Sequence, residues 1–155
     1  MNPLPLLDNG DEIIQAALKV LETRLRYTTE HESFASPADA RAFCVLRLAQ
    51  REHEVFAALW LDNRHRLLAY EELFRGTIDG CSVHPREVVK SALQHNAAAV
   101  IFTHNHPSGM PEPSRADEHL TRRLKDALAL VEVRTLDHIV VGATTTVSFA
   151  ERGLL

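Results

Sequence analysis

Ala97-Ala98-Ala99-Val100-Ile101-Phe102-Thr103-His104-Asn105-His106-Pro107-Ser108-Gly109 is the stretch on which the reading of this chain turns. Ala97 to Thr103 is an almost unbroken apolar run, short enough for a central strand buried on both faces. Where the strand ends, the chemistry begins. Residues two apart in an extended segment project to the same side, so His104 and His106 can meet one ion while Asn105 points elsewhere. Pro107 biases His106 toward the extended geometry that this needs.

The chain then passes through a loop, His106 to Pro113, into Pro113-Ser114-Arg115-Ala116-Asp117 and a helix whose Leu120, Leu124 and Leu128 share a face. Asp117 lies in the first turn, and the loop is long enough to bring it back toward the histidines. Two nitrogens and one carboxylate oxygen leave a fourth position for water, the open tetrahedral arrangement of a catalytic zinc site. An ion there makes hydroxide available near neutral pH. Each piece also has a plainer reading: Ser114-x-x-Asp117 matches a helix capping box, and a His-x-His pair arises by chance in a chain with nine histidines. The joint reading gains from the order of events, an apolar strand delivering the histidines and a capped helix returning a carboxylate.

Hydrolysis further needs a group that takes a proton from water and passes it to the leaving group, work suited to a glutamate. Glu54, Glu71 and Glu72 are the upstream candidates. Glu54 opens the strand Val55 to Leu61 and so sits at the sheet rim, which favours it modestly. Glu71 and Glu72 lie inside the next strand on opposite sides, where a salt bridge or a solvated edge accounts for either.

Working outward, Ile14, Leu18, Leu21 and Leu25 recur at helical spacing from Asp11 to about Leu25, with Asp11 and Glu12 in the first turn where the helix dipole favours them. Thr28 to Ser33 reads as a loop. Ser36-Pro37-Ala38-Asp39 opens a second helix running to about Leu48. Val55 to Leu61 and Leu67 to Phe74 read as an antiparallel pair around Asp62-Asn63-Arg64. Pro85 and Glu87 begin a third helix; Val131 to Val141 and Thr146 to Phe149 supply the last strands, around a turn at Gly142-Ala143-Thr144. The fold class expected is α/β, with a helical extension over 1–35 and one domain over 36–155.

Composition narrows the function classes. With 45% hydrophobic and 25% charged residues among 155, the chain has the make-up of an ordinary globular protein. The net charge of -4 comes mostly from the first 35 residues, which hold six acidic against three basic side chains. No general basic footprint for nucleic acid is present, although Arg115, Arg122, Arg123 and Lys125 form a local basic group that also reads as a solvated helix face. Cys44 and Cys81 are too few and too far apart for a disulfide framework or a four-cysteine zinc site. Cys81 and His84 lack a readable third group for nucleophilic catalysis. His138, beside Asp137 in an apolar strand, reads either as an orienting contact to a ligand or as a hydrogen-bonded core histidine, with the structural role preferred. No apolar run approaches the ~20 residues of a membrane helix. A cytoplasmic location without membrane attachment is expected.

Phe74-Arg75-Gly76-Thr77, Val83-His84-Pro85-Arg86-Glu87, His104 to Gly109, Pro113-Ser114-x-x-Asp117 and Leu136-Asp137-His138-Ile139 together resemble the core of the RadC family. The likeness covers roughly Ser36 to Leu155, and the spacing is also similar to the wider JAMM (JAB/MPN) metalloproteases. The resemblance implies a cytidine-deaminase-like three-layer fold, a mixed sheet between helices, with one zinc ion per chain. It implies His104, His106 and Asp117 as ligands, Glu54 as general acid/base, and Ser114 as the residue that holds water at the ion or polarises the developing oxyanion. RadC proteins commonly carry a helix-hairpin-helix region, which the residues before Ser36 do not match; the chain resembles the short RadC-like form. The expected activity is hydrolysis of an amide bond in a peptide or protein substrate, as a peptidase or isopeptidase. The alternative is a DNA-repair or mobile-element protein whose JAB domain is a structural or non-peptidase metal module, with DNA association only weakly supported.

Overall fold

The computed structural model describes residues 10–26, 36–76 and 83–155, and within it the apolar run occupies the centre of a sheet. The strands are β1 (Val55–Leu61), β2 (Leu67–Arg75), β3 (Ala99–Asn105), β4 (Arg134–Val141) and β5 (Thr146–Ser148), in the order β2-β1-β3-β4-β5. β1 pairs antiparallel with β2 and with β3, β3 pairs parallel with β4, and β4 pairs antiparallel with β5. Every residue of β1 and of β3 is buried, as their unbroken apolar runs require of strands covered on both faces.

The covering layers follow from alternation along the strands. On one face Ala57, Leu59, Ile101 and Ile139 pack against Phe43, Cys44 and Leu48 of α2 (Pro37–Leu48) and Leu18 of α1 (Gly10–Arg26). On the other, Phe56, Ala58, Trp60, Val100 and Phe102 pack against Val88 and Ala92 of α3 (Pro85–Gln94) and Leu120, Leu124 and Leu128 of α4 (Arg115–Ala129). The result is a three-layer α/β arrangement with a mixed five-stranded sheet, as expected and consistent with a JAB/MPN fold. α1 is tied on by Glu22, which accepts from Arg47 at 2.7 Å, while the Arg47 guanidinium lies over the Tyr70 ring at 4.6 Å. Burial pushes the Cys44 thiol up to about 12, so it serves as a small apolar side chain.

Several boundaries differ from the sequence reading, the start of the central strand among them, at Ala99 and not Ala97. β3 runs on through His104 and Asn105, because β4 continues to pair with it up to Val141. Val131 to Val133 are not strand: the Val131 and Val133 amides both donate to the Leu128 carbonyl, closing α4, with Glu132 at a φ of 60°. Phe149 is not strand either, but opens a short helix, α5 (Phe149–Arg152), capped by Ser148, whose hydroxyl accepts from the Glu151 amide. The loop read over Thr28 to Ser33, the turn with Cys81, Thr77 and the Leu25 side chain lie outside the described residues.

Candidate metal centre

His104 at the end of β3, His106 just beyond it and Asp117 in the first turn of α4 meet at one point. His104 Nε2 and His106 Nε2 stand 3.0 Å apart. Asp117 Oδ2 lies 3.3 Å from the first and 3.4 Å from the second. Atoms bound at about 2.0–2.1 Å in a tetrahedral shell are separated by about 3.3 Å, so the three present the spacing of zinc ligands. His104 and Asp117 are fully buried, and His106 leaves 15% of its side chain exposed, so the cluster opens to one side only.

Hydrogen bonds behind the histidines fix which nitrogen faces the centre. The Thr121 hydroxyl donates to the Asp117 carbonyl at 2.7 Å and so has no proton left for His138 Nδ1, 2.5 Å away. His138 Nδ1–H therefore donates to Thr121, leaving His138 Nε2 to accept from His104 Nδ1–H at 2.7 Å. His106 Nδ1–H donates to the Met110 carbonyl at 2.9 Å. Both ligand rings are thereby held with an Nε2 lone pair aimed inward. Burial, with the neighbouring His104, pulls the His138 pKa well below its usual range, which keeps it neutral. The Phe149 ring stacks on it at 4.6 Å.

Two lone pairs and a carboxylate oxygen so close together call for a positive charge. The protonation behaviour says the same. Hydrogen bonding to Asp117 raises the His106 pKa against the opposing effect of burial, and the Met110 carbonyl and the charges of Asp117 and Glu54 add to the rise. Burial pushes the Asp117 carboxyl up, but a proton held on Nε2 of His104 or His106 in an ion's place donates to it, and these hydrogen bonds outweigh burial and hold the carboxyl far below the usual carboxylate range. His104, His106 and Asp117 could thus hold a metal ion, the single such group among the described residues. The capping-box reading is equally true. Ser114 Oγ accepts from the Asp117 amide at 3.1 Å, and Asp117 Oδ2 accepts from the Ser114 amide at 2.7 Å. One carboxylate closes the box and faces the histidines.

Glu71 and Glu72 have partners away from the histidines. Glu71 accepts from Trp60 Nε1 at 2.8 Å and Ser91 Oγ at 2.9 Å, and Glu72 pairs with Arg51 at 2.9 Å and Arg75 at 3.1 Å. The register pairs Phe56 with His104, and Glu54, just before β1, is near enough for its charge to add to the rise of the His106 pKa. Its backbone is pinned from both sides. The Gly76 amide donates to the Glu54 carbonyl at 2.8 Å, while Asn105 Oδ1 accepts from the Val55 amide at 2.8 Å and Nδ2 donates to the His53 carbonyl at 3.0 Å.

Asn105, Thr121 and His138 are the contributors that sequence reasoning undervalued. Asn105 was read only as pointing away from the ion; it does, and that is how it reaches the strand carrying Glu54. His138 is the orienting contact to His104, not merely a core histidine, and the Asp137-His138 pair was its visible signal. For Thr121 no signal existed beyond its position one turn after Asp117. Arg122 and Arg123 are exposed on α4. No helix among the described residues is long and apolar enough to cross a membrane.

Comparison with known proteins places this geometry in a lineage. A family model for the RadC-like JAB domain matches residues 34–154. A UPF0758 protein of Thioalkalivibrio sulfidiphilus is 63% identical over 140 residues, which is 88% of this chain and 62% of that protein. Another from Nitrosococcus oceani is 60% identical over 143 residues, 92% of this chain and 64% of its own length. One from Vibrio cholerae is 56% identical, the match covering 92% and 88% of the two chains. This chain thus spans a little under two thirds of the length of the first two relatives. The name these relatives carry assigns no reaction.

Proposed function

The chain belongs to the RadC-like JAB domain family, and on that premise we propose that it is a zinc-dependent hydrolase of amide bonds, a peptidase or isopeptidase of the JAMM type. The observation that carries this reading is the inward convergence of two imidazole Nε2 lone pairs and one carboxylate oxygen within 3.4 Å. Two nitrogens and one oxygen suit zinc better than magnesium, which prefers oxygen ligands in an octahedral shell.

When bound, the ion supplies Lewis acidity, polarising the scissile carbonyl and acidifying water. The remaining work falls to side chains of the chain itself. Glu54, whose charge reaches His106, takes the proton of the attacking water and delivers it to the departing amine. Ser114 spends only its oxygen on the helix cap, so its O–H stays available to donate to the oxygen on which charge develops. His138 and Thr121 keep His104 in the ligating tautomer, and the Met110 carbonyl does so for His106.

Amide hydrolysis is favoured over phosphodiester cleavage by ligand count and charge. Phosphodiesterases often use two ions about 4 Å apart, whereas this group serves one. The loop from Pro107 to Pro113 has no lysine or arginine to meet a phosphate, and a chain of net charge -4 gains no long-range attraction for a polyanion.

Wild-type protein and Glu54→Gln, both with verified zinc, should be exposed to a peptide and isopeptide library alongside single-stranded, double-stranded and branched DNA. The expected outcome is cleavage within the peptide panel by wild type, with Glu54→Gln at least about a hundredfold slower and the zinc content unchanged. DNA cleavage by wild type alone, with every peptide intact, would overturn the reading.

A further inference from the structure

The loop that carries His106 is supported from beneath by the turn between β4 and β5, and the contact is made at a residue with no side chain. The ladder between β3 and β4 goes one step beyond the strands, the His106 amide donating to the Val141 carbonyl at 2.9 Å. The loop then doubles over the next residue, Gly142. The Gly109 amide donates to the His106 carbonyl at 2.9 Å, and the Gly109 carbonyl accepts from Ala143 at 3.3 Å. A Cβ built on Gly142 would stand 2.5 Å from the Gly109 carbonyl oxygen and 2.9 Å from Pro111 Cδ. Real atoms do not approach so closely. The nearer obstacle is backbone, so the loop itself would have to lift.

That displacement has a chemical address. Met110, between the two residues touched, supplies the carbonyl that holds His106 Nδ1 at 2.9 Å. Gly109 is itself at a φ of 84°, a conformation that only glycine adopts without strain, so the loop has little freedom to reroute. His104 is held by a different route, its Nδ1 bonding to His138 on β4, which Thr121 of α4 holds in turn.

We infer that Gly142 is a positioning residue for the metal site: the absence of a side chain there lets the Gly109–Pro111 loop lie low enough for the Met110 carbonyl to aim His106 at the ion. The inference rests on the reading of His104, His106 and Asp117 as ligands. Gly142 stands 25 positions beyond Asp117 in sequence and has no side chain to offer the ion, so its effect travels through the loop that aims His106. Loss of such support behind a ligand typically costs about 10–100-fold in metal affinity.

The test is a double-mutant cycle read by zinc affinity, measured by competition with a chromophoric chelator on wild type, Gly142→Ala, His106→Ala and the double variant. Gly142→Ala should weaken binding by about 10–100-fold, and the double variant should bind no more weakly than His106→Ala, because the second change acts on a ligand already removed. Additive losses would mean a general loosening of the fold and would overturn the inference. So would an undiminished affinity in Gly142→Ala, while leaving the metal site intact as long as His106→Ala is impaired. Failure of wild type to bind zinc would sink both. Pro111→Gly slackens the same crossing from the loop side, is expected to give the same non-additive pattern, and stands in should Gly142→Ala not fold.

Discussion

α2 and α4 open with the same signature, Ser36-x-x-Asp39 and Ser114-x-x-Asp117, and in each the serine hydroxyl accepts from the amide of the aspartate, at 3.3 Å and 3.1 Å. At α2 that is the whole story: Pro37 and Asp39 help to start a helix at the surface, and Asp39 remains half-exposed. At α4 the aspartate is 1% exposed, because β3 ends beside it and points two imidazoles at the same oxygen that closes the box. Local sequence writes a helix start in both places. Only the tertiary neighbour makes one of them a candidate metal site.

The largest effect that would break this comparison is on metal content. Asp117→Ala should remove essentially all bound zinc from protein purified without added metal, while Asp39→Ala leaves it near one per chain, as elemental analysis of the two purified variants would read. Equal metal in both would erase the distinction. The catalytic counterpart is the loss of at least about a hundredfold in turnover for Glu54→Gln at unchanged zinc.

Asn105 sharpens the comparison from the other side of β3. Asn105→Ala deprives the Val55 amide and the His53 carbonyl of buried partners, at a cost of about 1–3 kcal/mol in stability. Because the strand that carries Glu54 is thereby released, turnover should fall by roughly tenfold or more while zinc stays bound. Paired kinetics and metal analysis separate the two quantities; loss of zinc with turnover per bound ion intact would refute the clamp. The smallest effect belongs to the caps. Ser36→Ala and Ser114→Ala should each cost about 0.5–2 kcal/mol by denaturant unfolding. Only the second should also weaken zinc binding, since it alone loosens the carboxylate that faces the histidines.

What the sequence makes legible follows the same division. The central strand, the capped helices and the His-x-His projection are local regularities, and each is found within a residue or two of where the spacing puts it. For Glu54, position at the sheet rim only hints at a place near the histidines, because that place depends on the pairing of two strands some fifty residues apart. His138, Thr121 and Asn105 act by meeting groups 34, 17 and 50 residues away, His104, His138 and Val55 respectively. No periodicity encodes such meetings. α5 was missed for a different reason: Thr146 to Phe149 alternates like a strand, but Ser148 caps a turn of helix that lays Phe149 against His138.

We propose that one zinc ion sits among His104, His106 and Asp117. The most direct test is anomalous diffraction from crystals of protein purified without added metal, recorded just above and just below the zinc absorption edge. One peak that disappears below the edge is expected, about 2.0–2.1 Å from His104 Nε2, His106 Nε2 and Asp117 Oδ2 alike. A zinc peak held by other side chains, with these three atoms facing only one another, would contradict it.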